Sequence, residues 1–374
     1  MAQKEDGCEK MKPLTTQGQL RRIVLEGFKS IASCDLELGA LNVLIGANGA
    51  GKSNFITFFK MIQQMVAENL QLFISQQGGP DAILYFSRKK TEQLLTELYF
   101  GNNGYKMILT PTIDNRMVYE KEVVWWNMTG DKDLGSGHFE TKAKRGTNTR
   151  IDQYVIPYME KWRVYHFHDT SDSAYVKQLQ KINDNEYLRP DARNLAAFLF
   201  MLKNNYPEHY QRIVKTIRLV APFFGDFMLR PAPFNQEMIE FEWFDQGSDT
   251  PFKAGDLSDG TLRFISLATV LLQPEELQPE TILIDEPELG LHPYAINVLA
   301  SLIKLASEKK QLIISTQSTD LLSEFDVEDV IVVNRQDNKS VLNRLEPENF
   351  KKWLEEYSLG ELWQKNLLGG RPSR

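Results

Sequence analysis

Cysteine is scarce in this chain: two residues, Cys8 and Cys34, occur among 374. They lack metal-type spacing, so a disulfide framework is not encoded and a reducing compartment fits. No uninterrupted apolar run approaches the roughly 20 residues that cross a bilayer. The opening stretch Met1 to Gln19 is polar, without an apolar signal core, so we expect a cytoplasmic protein with no membrane partner. Positive charge is not in excess either, the formal net charge being −7. Coating nucleic acid relies on Lys and Arg neutralising phosphates, so a DNA contact would have to be local or supplied by a partner. Internal repeats and sustained heptads are also missing, which argues against a solenoid or a long coiled coil. With 42% hydrophobic residues the chain can still build a substantial core, in one large domain or two ordinary ones.

Among the motifs present, Gly46, Ala47, Asn48, Gly49, Ala50, Gly51, Lys52 and Ser53 spell the phosphate-binding loop G-x-x-x-x-G-K-S. The apolar run Leu41, Val43, Leu44, Ile45 predicts a buried strand before it, and Asn54 to Met65 carries a helical pattern after it. Small residues let successive backbone N–H groups face phosphates, and the helix N-terminus adds its dipole. Asn48 to Asn54 are therefore candidate contacts for ATP, with Lys52 reaching the β and γ oxygens and Ser53 holding Mg²⁺.

Arg21 to Phe28 and Asp35 to Leu38 read as strands, after a loose tail over residues 1–19. Leu98 to Phe100, Tyr105 to Leu109 and Val118 to Trp126 read as antiparallel strands, with Gly101 to Gly104 as a turn. Asp131 to Arg150 is polar and rich in Gly, Thr and Lys, the pattern of a mobile loop. Ile151 to Phe167 is strand-like, and Asn194 to Lys203 and Pro207 to Leu219 read as helices. From Leu257 the pattern alternates: helix to Leu272, strand Thr281 to Ile284, helix Tyr294 to Glu308, strand Gln311 to Ile314, strand Val330 to Val333. That alternation signals a parallel α/β sheet. The implied organisation is an α/β ATPase head in two parts, 20–92 and 251–346, with a β and helical lobe inserted at 93–250 and a C-terminal helix and tail at 347–374.

The strand Thr281 to Ile284 runs into Asp285 and Glu286. An apolar strand ending in two acids is the Walker B arrangement, with Asp285 for the Mg²⁺ shell and Glu286 to orient or deprotonate the attacking water. Between loop and acids stands Leu257, Ser258, Asp259, Gly260, Thr261, which resembles the signature motif of ABC-type ATPases, written L-S-G-G-Q. Pro287 to Pro293, following Glu286, resembles the D-loop of the RecF/SMC-like branch of that class. Gly27, Phe28, Lys29 and Ser30 look like its opening strand. Tyr165 to Ser171, Leu188 to Leu199 and Trp353 to Pro372 look like stretches of short bacterial "predicted ATPase" members, whose relatives include OLD-type nucleases and ATPase components of phage-defence cassettes.

The resemblance implies an ABC-ATPase head whose two copies stack head to tail around two ATP molecules. Ser258, Asp259 and Gly260 of one copy would then close on the γ-phosphate held by the other. It also implies a switch residue after the next strand, where this chain has Gln317 and many relatives have histidine. A glutamine amide can bond phosphate or water but cannot carry positive charge, so the departure bears on hydrolysis rate more than on ATP binding. Gln76 and Gln77 are candidates for the Q-loop. The interval from residue 54 to 256 lacks the heptads of an SMC arm, so the reading is a head without a coiled-coil arm. Residues 334–374 are too few for a Toprim domain, so a nuclease effector is expected from another chain.

The preferred function is thus an ATP-hydrolysing homodimer, or a higher oligomer, controlling a separate effector in anti-phage defence. The alternative is a DNA-maintenance clamp that grips DNA without an effector. Minor candidates are a metal pair at His166, His168 and Asp169 on a predicted strand, DNA-facing bases at Lys142, Lys144, Arg145 and Arg150, and the cluster Arg88, Lys89, Lys90. Phe350, Trp353, Leu354, Tyr357, Leu362 and Trp363 form an amphipathic helical stripe for core docking or partner binding.

Overall fold

A computed structural model describes residues 18–126, 130–143 and 155–369. Its central sheet runs, from edge to edge, Lys339–Arg344, Val330–Gln336, Leu41–Ile45, Gln311–Thr316, Thr281–Asp285 and Trp162–Tyr165. All pairs are parallel except that of the Lys339–Arg344 edge strand. Leu41–Ile45 and Gln311–Thr316 are buried at every position, the pattern of inner parallel strands covered on both faces. Because side chains alternate along a strand, Leu41, Val43 and Ile45 enter one core and Leu44 the other.

The face containing Leu44 packs on the helix Lys52–Val66, which a second, antiparallel sheet covers in turn. That sheet runs Ile31–Glu37, Arg22–Phe28, Leu94–Phe100, Asn103–Pro111, Met117–Trp126 and Gly130–Gly135. Phe55, Phe58 and Phe59 lie between the sheets, and Phe59 meets fully buried Trp162 at a ring separation of 5.0 Å. Each such side chain contributes roughly 1.5–3 kcal/mol on burial. The opposite face of the central sheet carries the helices Leu195–Asn205, Pro207–Val220, Asp259–Leu272 and Pro293–Ser307.

Several expectations are corrected. A division at residue 93 cuts through one sheet, because Leu94–Phe100 pairs along Arg22–Phe28. Trp162–Tyr165, expected within the inserted lobe, completes the central sheet beside Thr281–Asp285. Periodicity reports local conformation and is blind to which distant strand is the partner. Within the expected mobile loop, Gly130–Gly135 is a strand on Met117–Trp126. The next residues are tied to buried Glu122, whose carboxylate accepts from the Lys142 backbone N–H at 2.9 Å and the Tyr105 hydroxyl at 2.8 Å, and also from Thr141. The rest of that stretch, with Lys144, Arg145 and Arg150, lies outside the described residues, as do residues 1–17 of the expected tail. Ile156–Glu160 is a helical turn rather than strand, with Pro157 in its first turn, where proline is favoured. The C-terminal stripe is broken into Lys351–Leu354 and Leu359–Gln364, because Ser358 and Glu361 form a capping box that starts a new helix. Leu362 and Trp363 are buried, whereas Trp353 and Leu354 stay exposed. No described helix is long and apolar enough to cross a membrane.

Candidate nucleotide site

The loop at residues 46–51 leaves the carboxyl end of the strand Leu41–Ile45 and turns into the helix Lys52–Val66. Two glycines are dictated by space. A Cβ at Gly46 would lie 2.4 Å from the Val333 carbonyl oxygen, and one at Gly51, where φ is +118°, would lie 2.0 Å from Ser340 Oγ. The helix has no side-chain cap and no acid in its first turn. Its N–H groups and positive dipole end are therefore left for an anion. Lys52 is buried and donates from Nζ to the Gly46 carbonyl at 2.6 Å and the Ala47 carbonyl at 3.3 Å. Burial pulls its pKa below the ordinary lysine value, against the opposing pull of Glu286, Asp285 and Glu288. Asn48, Gly49 and Ser53 are exposed. Asn54 Nδ2 donates to Ser30 Oγ at 2.6 Å, Ser340 Oγ to the Ala50 carbonyl at 2.5 Å, and Arg335 to the Gly49 carbonyl at 3.2 Å.

Strand register brings the acids to the same edge. Asp285 pairs with Ser315, Ser315 with Leu44, and Thr316 with Ile45. The buried Asp285 Oδ1 has no hydrogen-bond partner. An unmatched anionic oxygen at that depth suits a cation, and it lies at the strand end that faces the phosphate loop. Glu286 has φ +47° and its N–H donates to the Ser315 carbonyl at 2.8 Å. Its carboxylate accepts a short hydrogen bond from the Gln317 side-chain amide. A non-glycine residue in this left-handed region costs on the order of 1–3 kcal/mol and is retained mainly at functional sites. Glu288 Oε1 accepts from Thr316 Oγ1 at 2.6 Å and from the Gln317 N–H at 3.0 Å, and burial pushes the Glu288 pKa up.

Ser258, Asp259 and Gly260 open the helix Asp259–Leu272, on the opposite face of the central sheet from the helix of the phosphate loop. Ser258 Oγ accepts from the Thr261 N–H at 3.2 Å and pairs with Thr261 Oγ1 at 2.8 Å. Ser258 and Asp259 are exposed. A Cβ at Gly260 would lie 2.3 Å from the Gly290 carbonyl oxygen, so signature and D-loop touch directly. Arg263, unmarked by any sequence motif, donates to the carbonyls of Leu289, Phe167 and His168 at 2.9, 3.0 and 2.9 Å. The structure thus gathers Lys52, Asp285, Glu286 and Gln317 and keeps Ser258, Asp259 and Gly260 apart from them.

Of the lesser candidates, Gln77 accepts from Lys29 Nζ at 2.8 Å, while Gln76 ends the helix Leu70–Gln76. His166 and His168 follow the strand instead of lying on it, and the His168 ring donates to the Asp285 carbonyl at 3.0 Å. Among the described residues no group of three or more His, Cys, Asp or Glu could hold a metal ion. Arg88 is engaged with Asp81, Thr112 and Asn115, and Lys90 lies over the Phe86 ring at 4.8 Å. Sequence reasoning missed Ser340 and Arg335, on strands with no local motif, and Arg263, which follows the signature without being part of it. Glu288, inside the Pro287 to Pro293 run, has no role assigned from sequence.

A sheet parallel but for one edge strand and bearing the loop and the paired acids, with an antiparallel sheet on one face and the helix Asp259–Leu272 on the other, is that of an ABC-type ATPase head of the OLD/SMC-like kind. The chain belongs to the family described as "AAA domain, putative AbiEii toxin, Type IV TA system", which its residues 41–323 match. It is 24% identical over 366 residues to the Old nuclease of Escherichia phage P2, the match covering 87% of this chain and 61% of that protein. The chain thus spans less than two thirds of that relative. The fold is similar to the Smc head bound to the C-winged helix domain of ScpA, with TM-score 0.60 and 17% identity over 89% of this chain and 99% of the other. It is also similar to a Pyrococcus furiosus Smc head with an extended coiled coil, bound to the C-terminal domain of ScpA, with TM-score 0.58 and 16% identity over 90% and 98%. Family membership implies use of ATP.

Proposed function

We propose that this chain binds and hydrolyses ATP at a site completed by a second copy of itself, and that the closed dimer controls a separately encoded nuclease in anti-phage defence. The observation that carries the enzymatic part is the unpartnered Asp285 Oδ1 beside Glu286, at the strand edge where Lys52 lies buried on its own loop. Lys52 would exchange the Gly46 and Ala47 carbonyls for phosphate oxygens, and the loop N–H groups at residues 48–54 would cradle the rest. Ser53 and Asp285 would hold Mg²⁺, which when bound offsets the phosphate charge. Glu286 would take the proton as the water oxygen bonds to the γ-phosphorus and the bond to the bridging oxygen breaks, giving ADP and phosphate. Gln317 would orient water or the γ-phosphate.

Exposed Ser258 and Asp259, with Gly260, suit the role of facing the other copy's γ-phosphate. The nuclease assignment is supported by the likeness to the Old nuclease, of which this chain covers a part. The experiment is mass measurement in solution with ATP and Mg²⁺ on Glu286→Gln, which should bind without turnover. A dimer that reverts to monomer when ATP is removed is expected, and a persistent monomer would overturn the shared site. DNA binding by the ATP-bound dimer alone, weakened by salt and lost in Lys52→Ala, would favour the clamp reading instead.

A further inference from the structure

Glu288 lies in the run after the Walker B acids and has a geometry that neither phosphate binding nor water activation uses. One oxygen, Oε1, accepts from Thr316 Oγ1 at 2.6 Å and from the Gln317 N–H at 3.0 Å. Thr316 Oγ1 in turn accepts from the Ser318 N–H at 3.0 Å, and Ser318 caps the helix Thr319–Ser323. A single carboxylate oxygen therefore anchors the whole turn after the strand Gln311–Thr316. The other oxygen, Oε2, is buried without a partner. Burial withdraws both oxygens from solvent, and what Oε1 supplies is an acceptor that holds the turn.

We propose that Glu288 is a positioning residue for the switch: it pins the backbone of Gln317 as a fixed pivot while the Gln317 side chain exchanges partners. In the structure that side chain holds the Glu286 carboxylate. To act on water or a γ-phosphate it must let go, and the amide can swing reproducibly only if its backbone stays in place. Four hydrogen bonds lace the two segments together: the Glu286 N–H to the Ser315 carbonyl, the Thr316 hydroxyl and the Gln317 N–H to Glu288, and the Gln317 side-chain amide to Glu286. Two of the four end on Glu288. The inference rests on the ATPase reading for its consequence, whereas the hydrogen bonds of the pivot are observed directly.

The test uses Glu288→Ala and Glu288→Gln in the full chain. The Gln side-chain carbonyl can accept both hydrogen bonds without charge, whereas Ala accepts neither. Hydrogen exchange over residues 316–318 without nucleotide should be faster in Glu288→Ala by about tenfold, the size of a lost hydrogen bond, and near wild type in Glu288→Gln. Turnover should fall by at least about tenfold in Glu288→Ala while ATP affinity stays within about threefold, and Glu288→Gln should restore turnover. Unchanged exchange in Glu288→Ala, a parallel loss of affinity and turnover, or failure of Glu288→Gln to restore turnover would each overturn the pivot. A wild-type chain that neither binds nor turns over ATP would defeat the ATPase reading, while the exchange result would still decide the pivot.

Discussion

The phosphate loop and the signature are both helix N-termini built from small residues, and the chain treats them in opposite ways. The first is held from several sides, by Ser340 on Ala50, Arg335 on Gly49 and Lys52 folded onto Gly46. Its helix end carries neither a side-chain cap nor an acid. The second is exposed, yet its end is already occupied: Ser258 caps Thr261, and Asp259 puts a negative charge in the first turn. An anion is therefore drawn to the first site by unsatisfied N–H groups and must compete at the second with the chain's own groups. Shape is supplied at one end and restraint at the other, the asymmetry on which the proposed two-copy site depends.

The largest expected effect separates the two ends. Lys52→Ala should weaken ATP binding to the single chain by at least about tenfold, on a scale of roughly 1.5–3 kcal/mol per charged hydrogen bond, as read by titration calorimetry. Ser258→Arg should leave that affinity unchanged and cut turnover by about a hundredfold, the loss typical of a removed donor at the reacting phosphate. If Ser258→Arg turned over normally, the signature would lie outside the active site and the comparison would collapse. The smallest effect is the most pointed. Asp259→Gly removes the competing charge and should strengthen ATP-driven dimerisation a few-fold, about 0.3–1 kcal/mol, in sedimentation at low salt. No change would mean that Asp259 faces away from the incoming phosphate.

Much of this was legible in residue order. The strand, loop and helix around Gly46 to Ser53 follow from an apolar run meeting a glycine-rich turn, and Thr281 to Glu286 follows from the same logic on a second strand. The signature was legible only as a resemblance, since Ser-Asp-Gly is also an ordinary helix start. Polar strands were not legible: Gly130–Gly135 reads as loop because its sequence, GDKDLG, has no apolar alternation, and it is a strand through pairing with Met117–Trp126. Partners from afar were hidden for the same reason. Nothing near Ser340 announces that its hydroxyl will close the phosphate loop, and nothing near Trp162 says which strand it will lie beside.

The Ser340 contact also sets an order of assembly. Its hydroxyl reaches Ala50 across 290 positions of chain, and the Val333 carbonyl lies just as remotely against Gly46. Synthesis runs from the N-terminus, so the loop that defines the nucleotide site is made well before the residues that shape it. A nascent chain halted before the Val330–Gln336 and Lys339–Arg344 hairpin emerges would carry every letter of the motif without the walls that curve it. Ribosome-bound intermediates should therefore gain nucleotide binding abruptly, once that hairpin has emerged.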